Sequence, residues 1–325
     1  MKRKQSGLRI MSRLIVLVKP LSGFMCLAVL LGVLGFLCAI QITVAGSLTL
    51  LTAAKISGGI AIKTGCICII IFAVLRGFLH YGEQACNHYI AFKLLALIRD
   101  KVFKAMRRLS PAKLEGKDKG NLVSVITSDI ELLEVFYAHT ISPTCIAILT
   151  CLIMLIFIGR YSIWLSLVAL AAYITVGAVI PLVSSRLNKN AGMTYRDGSG
   201  VLSGFVLDSM RGLLESIRYN STDKRLEEMD KKTDELNSLQ NKLKKIEGHT
   251  GAVTDIAIIF FSVAMLLTGI ALYQKGVIGF DGMIVSTVSM MSSFGPVAAL
   301  SGLAGNLTHT LAAGERVLGI LDETP

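Results

Sequence analysis

The sequence predicts an all-α membrane protein, with six transmembrane helices joined on one side by short turns and on the other by two long intracellular helical hairpins. Three observations predict it. Six apolar runs cover roughly residues 24–54, 59–79, 141–159, 162–183, 252–273 and 277–307. Each can supply the ~20 helical residues that cross a hydrocarbon core of about 30 Å with every backbone group satisfied inside its own helix. The gaps alternate: 55–58, 160–161 and 274–276 are short, whereas 80–140 and 184–251 are long, so both long gaps share one side of the bilayer. The cations follow the same division. Of 33 Lys and Arg, only Lys55, Lys63, Arg160 and Lys275 fall in or beside short gaps, and Arg76 lies within a crossing. Lysine and arginine collect in cytoplasmic loops, so both termini and both hairpins are expected on the cytoplasmic side of an inner or plasma membrane.

Composition agrees. Hydrophobic residues make up 53% of the chain, charged residues only 17%, and the mean hydropathy is +0.64; soluble domains carry about a quarter charged residues. The net charge of +11 is spread along membrane-flanking helices without an aromatic-rich reading motif, which argues against a nucleic-acid partner.

Residues 1–19 place Lys2, Arg3, Lys4, Arg9, Arg13 and Lys19 around Leu8, Ile10, Met11, Leu14 and Ile15. The apolar run that follows is too long for a signal-peptide core and ends in no convincing small-residue cleavage site, so an amphipathic segment lying on the inner leaflet is expected instead. Crossing 2 should continue unbroken to residue 108, because no proline and few glycines interrupt good helix formers such as Phe92-Lys93-Leu94-Leu95-Ala96-Leu97-Ile98-Arg99. Ser110-Pro111 ends that rod, Gly116 and Gly120 frame its tip, and residues 121–135 resume a helical pattern toward crossing 3. The second hairpin repeats the plan, with Gly192, Gly198, Gly200, Gly204 and Gly212 expected around its tip and a return limb over 223–247. Pro143, Pro181 and Pro296 fall in crossings and permit kinks, and Ser293-Phe294-Gly295-Pro296 is expected to bend the last one. The seven cysteines sit in or beside crossings; Cys66 and Cys68 point about 200° apart on a helix, which favours small buried hydrophobes over a shared metal or redox site. Hairpins this long exceed what a connection needs and read as levers.

Specific stretches then resemble a known family. Leu109-Ser110-Pro111-Ala112-Lys113-Leu114, Gly120-Asn121-Leu122-Val123-Ser124 and Thr127-Ser128-Asp129-Ile130 resemble the first coupling loop of ATP-binding-cassette (ABC) exporters. Gly204-Phe205-Val206-Leu207-Asp208-Ser209-Met210-Arg211-Gly212, with Glu215 and Ile217 following, looks like the second, and Ala313-Gly314-Glu315-Arg316-Val317 through Asp322 is similar to the segment entering the nucleotide-binding domain. Within that family, Arg76, Glu83, Asn87-His88 and His139-Thr140-Ile141-Ser142-Pro143 most resemble the cysteine/glutathione exporter subunit linked to cytochrome bd assembly. The resemblance implies an amphipathic segment over 1–19, a type-1 transmembrane domain over 20–322 with coupling loops near 110–120 and 203–212, and the start of a linker at 323–325. It implies a homo- or heterodimer with a second half-transporter, driven by a nucleotide-binding domain that binds ATP and Mg. A phosphate-binding loop needs G-x-x-x-x-G-K-[ST]. Here Gly116-Lys117 is followed by Asp118, so ATP hydrolysis is expected of a separate or following domain, and no cofactor is expected in this chain.

The function this implies is outward export of a small anionic or zwitterionic solute, a thiol or amino acid in kind. On a helix Arg76, His80, Glu83 and Asn87 fall within about 60° of one another, a polar stripe expected to line the substrate path. Arg76 would meet a carboxylate and Glu83 a cation, against the alternative of an internal pair that only fixes packing. Asp255 is a second candidate on that path, with a hydrogen-bonded packing role as its alternative. Lys113, Leu114, Glu115, Phe205, Val206 and Asp208 are the candidates for docking the ATPase, against ordinary solvated turns. Two other classes stay open: a haem-binding or sensor domain using His88, and an ion-coupled six-helix carrier needing no ATPase.

Overall fold

The computed structural model describes residues 7–17, 19–56, 60–110, 125–301 and 304–323. Its regular elements there are helical: α1 (Gly7–Leu17), α2 (Ser22–Ala53), α3 (Ile62–Leu109), α4 (Ile130–Phe136), α5 (Ser142–Gly159), α6 (Ile163–Ile174), α7 (Ile180–Arg211), α8 (Leu213–Arg218), α9 (Thr222–Gln274), α10 (Phe280–Ser292), α11 (Phe294–Ser301) and α12 (Ala304–Leu321). Six segments are long and apolar enough to cross a membrane: Lys19–Ala53, Ile62–Leu109, Ser142–Gly159, Ile163–Arg186, Thr222–Gln274 and Phe280–Leu300. They coincide with the six apolar runs, so the crossing count stands.

The chain divides into two compact units, residues 1–178 with 257–325, and residues 179–256. The larger unit has two apolar cores. One joins Ile40 and Val44 of α2, Met154 and Ile158 of α5, Leu165, Ala169 and Tyr173 of α6, and Met283 and Met290 of α10. Without a hydrophobic drive inside lipid, helices associate by close packing at small residues, and the glycines here serve that purpose. A Cβ on Gly65 would lie 1.8 Å from Thr49 Oγ1. The second core gathers Ile10 and Leu14 of α1, Ile90, Leu94, Ile98 and Val102 of α3, Ile130, Leu133 and Phe136 of α4, and Val317 and Leu318 of α12. The amphipathic N-terminal segment is therefore a helix, but Ile10 and Leu14 do not lie on a leaflet. Both are buried, a Cβ on Gly314 would come within 2.9 Å of Leu14, and Tyr137 Oη donates to the Leu14 carbonyl at 2.9 Å. That face packs with Val317 and Leu318 of α12, a neighbour the sequence gives no means of placing beside α1, while Ile15 and Val16 stay exposed.

As expected, α3 is a single rod of 48 residues, about 72 Å at 1.5 Å per residue. It ends where Ser110 turns extended (φ −77°, ψ 146°), the conformation imposed by a following proline. Two prolines follow π-helical turns: Tyr137–Ile141 precedes Pro143, and Thr175–Val179 precedes Pro181. A proline repels the carbonyl four residues back, and a wider turn relieves that clash. The last crossing is interrupted at Ser293, as the sequence predicts. Pro296 disturbs the Ser292 carbonyl, while Ser293 Oγ bonds the Met290 carbonyl at 2.7 Å and meets Tyr173 Oη at 2.5 Å.

In the smaller unit, α7 runs helical through Gly192, Gly198, Gly200 and Gly204 to Arg211, and the chain reverses over residues 212–221. Of the expected 203–212 segment, residues up to Arg211 are helical, and the turn starts at Gly212. Glycine lowers helix propensity by only ~1 kcal/mol, which packing overrides. Gly198 lies against Leu236 and Leu239 of α9, so at least one glycine gives close approach between the two limbs rather than a turn. The reversal itself ends on Asn220 with φ 53°, the left-handed conformation that asparagine tolerates.

Candidate functional site

The polar stripe of α3 divides in the folded chain. Arg76 and His80 are exposed, whereas Glu83 and Asn87 are 5% and 4% exposed. Glu83 turns into the bundle because α2 leaves room there. A Cβ on Gly32 would lie 3.4 Å from the Glu83 carboxyl carbon and 2.3 Å from Ile146 Cδ1 of α5. The carboxylate is bonded within its own helix: Glu83 Oε2 is 3.0 Å from His80 Nδ1, and Asn87 Nδ2 donates to Oε1 at 3.2 Å. Arg76 lies seven residues from Glu83, about 10.5 Å along the axis, and no carboxylate among the described residues pairs with it. The internal Arg76–Glu83 pair is therefore not formed. The group beside Glu83 is the His80 ring, and Asn87 Oδ1 is buried without a partner.

A free arginine within a crossing costs ~3 kcal/mol on insertion scales unless it meets an anion or water. Arg76 is thus the group of this stripe available to something outside the chain, with His80 held beside it by Glu83. His88 is exposed and stacks on Phe92 with ring centroids 6.1 Å apart. Asp255 is exposed, in the smaller unit. No group of three His, Cys, Asp or Glu side chains that could hold a metal occurs among the described residues.

At the hairpin tip, Lys113, Leu114 and Glu115 lie outside the described residues. Phe205, Val206 and Asp208 sit on the last turns of α7. Phe205 is half-buried between two cations of α9, with Arg225 and Lys232 each 5.3 Å from its ring centre, so its face is already used within the hairpin. The second coupling segment, read as continuing through Glu215 and Ile217, includes α8, whose exposed Leu214 was not singled out. This short helix at the reversal exposes Leu214 (83%), Ile217 and, just after it, Tyr219. Three large apolar groups on a solvated turn were the available signal.

A second charged cluster supports the C-terminal helix. Arg13 of α1 makes a bidentate pair with Asp322 at 2.5 and 2.6 Å, and Arg316 of α12 bonds Asp129 at 2.5 Å. Burial pushes the Asp129 carboxyl above its ordinary range and Arg316 opposes the shift. Hydrogen bonding to Asp322 holds the Arg13 guanidinium above its usual value.

One family matches the chain by sequence: the ABC transporter transmembrane region aligns with residues 23–297. The chain belongs to that family. A probable ABC transporter ATP-binding/permease protein of Haemophilus influenzae is 42% identical over 322 residues, 99% of this chain and 58% of the relative. The glutathione/L-cysteine transport system ATP-binding/permease protein CydC of the same organism is 23% identical over 259 residues, 78% of this chain and 44% of the relative. An ATP-dependent lipid A-core flippase of Shewanella frigidimarina is 29% identical over 123 residues, 38% of this chain and 20% of the flippase. This ABC transmembrane region therefore spans about half the length of the curated relatives it matches. It is a multi-pass membrane domain, and the expected fold class and family stand.

Proposed function

We propose that this chain is the permease part of an ATP-driven exporter that moves a small anionic or zwitterionic solute outward, working with an ATP-binding domain and a second half-transporter. The observation that carries the reading is α8, a six-residue helix at the tip of the hairpin unit that exposes Leu214 and Ile217. Apolar groups on an otherwise charged turn suit docking into another protein surface. Nucleotide-driven closure of that partner would move the hairpin and shift the crossings between two states that bind solute differently.

Arg76 supplies the solute preference. An arginine fork within a crossing, free of a protein carboxylate and flanked by a Glu83-held His80, favours a substrate anion. The cysteine/glutathione name of the relative CydC fits a carboxylate-bearing thiol as substrate. The test uses the full-length protein, including its ATP-binding portion, in inside-out vesicles with labelled cysteine, glutathione and a neutral amino-acid amide. ATP-dependent uptake of the carboxylates, lowered at least tenfold by Arg76→Gln and partly retained by Arg76→Lys, supports the reading. Equal uptake of the amide, or transport without ATP, rejects it.

A further inference from the structure

The smaller unit contains an apolar cleft that the export reading does not use. Val179, Ile180, Val183 and Ser184 of the α7 limb face Ile246, His249, Thr250 and Val253 of α9 around a volume of about 350 Å³. That lies at the lower end of the range of about 300–1,000 Å³ typical of ligand sites. The two limbs are joined there by the Ser184 and Thr250 hydroxyls, 2.7 Å apart. The cleft is open to its surroundings, because Val179, Val183 and Val253 are 48%, 51% and 52% exposed.

Its position along the chain is informative. α9 changes character at residue 252: before it the helix is densely charged, and after it apolar through residue 273 but for Asp255, which helical register sets about 200° round the helix from Val253 and so away from the cleft. The cleft straddles that change, so it sits where a bilayer's headgroups meet its hydrocarbon. Helical register then ranks the neighbouring charges. Lys242 and Lys245 stand four residues before Ile246 and His249, on the stripe that lines the cleft, and Arg186 stands three residues after Val183. All three are exposed, and none is ion-paired among the described residues. The acid nearest in sequence, Glu247, is bonded by Lys244 at 2.9 Å, away from that stripe. An apolar slot on the bilayer side of three unpaired cations is complementary to an anionic amphiphile.

We infer that this cleft binds one anionic phospholipid from the leaflet that faces the hairpins, with an acyl chain against Val179, Val183 and Val253 and the headgroup phosphate on Arg186, Lys242 and Lys245. His249 at the lip offers a ring N–H to the same phosphate. A resident lipid there would brace the two limbs where they leave the membrane. The inference does not depend on what the protein transports.

The experiment places the full-length protein in phosphatidylcholine nanodiscs containing a small equal fraction of either phosphatidylglycerol or phosphatidylcholine with a photoreactive tail group, and maps the cross-links by peptide mass spectrometry. Phosphatidylglycerol should label residues 179–184 and 246–253 well above phosphatidylcholine. Each of Arg186→Gln, Lys242→Gln and Lys245→Gln should lower that excess about fivefold. Val183→Phe, which fills the slot, should cut labelling by both lipids. Equal labelling by the two lipids, or an excess that survives the triple glutamine variant, overturns the inference. So does absent labelling together with Val253→Cys disulfide formation between two copies, which would make the face a subunit interface. Labelling that disappears only during ATP turnover would make the lipid a cargo and equally overturn a resident site.

Discussion

The two units of this chain solve different problems. The larger one buries what it can: Tyr137, Phe136, Leu14, Ile40, Ile98 and Leu165 are among its fully enclosed side chains, drawn from five helices and a π turn. In the smaller one, only Ile180, Pro181, Ser216 and Thr254 are buried among the described side chains. Its limbs touch through single contacts, such as Gly198 against Leu236 and Phe205 between Arg225 and Lys232. A body with a core holds its shape by itself, whereas a pair of helices without one is shaped by what it touches. The contrast marks the first unit as a self-supporting frame and the second as the part that leaves most of its described side chains exposed.

The contrast breaks if perturbing the frame proves harmless. Phe136→Ala empties a fully enclosed site and should cost about 3–5 kcal/mol, read as a collapse of the thermal midpoint in detergent. Arg316→Ala leaves the 2%-exposed Asp129 side chain unpaired and should cost ~1.5–3 kcal/mol. The same pair has a pH signature. Because burial raises the folded Asp129 value above 3.8, its contribution is fully present below that pH and is lost as pH rises through the folded value. Arg316→Ala should widen that window and Asp129→Asn should flatten it, as seen in midpoints measured across acidic pH. In the hairpin unit the balance reverses. Leu214→Asp should move the midpoint by no more than about 0.5 kcal/mol in equivalent stability, yet, on the proposed export reading, lower ATP-dependent transport about tenfold, the effect of losing one interface anchor. Leu207→Ala, half-exposed on α7, is the smallest, within about 0.5 kcal/mol. Limited proteolysis sharpens the comparison further: cuts within 179–256 should precede cuts in the frame, and an added ATP-binding partner should suppress them.

Much of this was legible in the sequence. The length and apolarity of six runs, the alternation of their gaps, the asymmetry of lysine and arginine, the end of α3 at Ser110 and the interruption at Ser293 are local properties, set by helix geometry, proline sterics and the bilayer. The stripe of Arg76, His80, Glu83 and Asn87 was readable from its period.

Which member of the stripe turns inward was not. That depended on Gly32 of α2 and Ile146 of α5, far away in sequence, which open a niche for the Glu83 carboxyl and leave Arg76 outside. The destination of α1 and the place where the hairpin reverses were hidden for the same reason. Ile10 and Leu14 advertise an apolar face and Gly192 through Gly204 advertise a weak helix, but a face takes the best surface available and a weak helix holds if a neighbour packs against it. Sequence by itself determined where this chain crosses the membrane and where α3 ends, because those choices depend on each residue's own solvent and backbone. Tertiary structure decided which polar groups are spent within the protein and which remain for a partner, because that depends on surfaces that meet only once the helices have assembled.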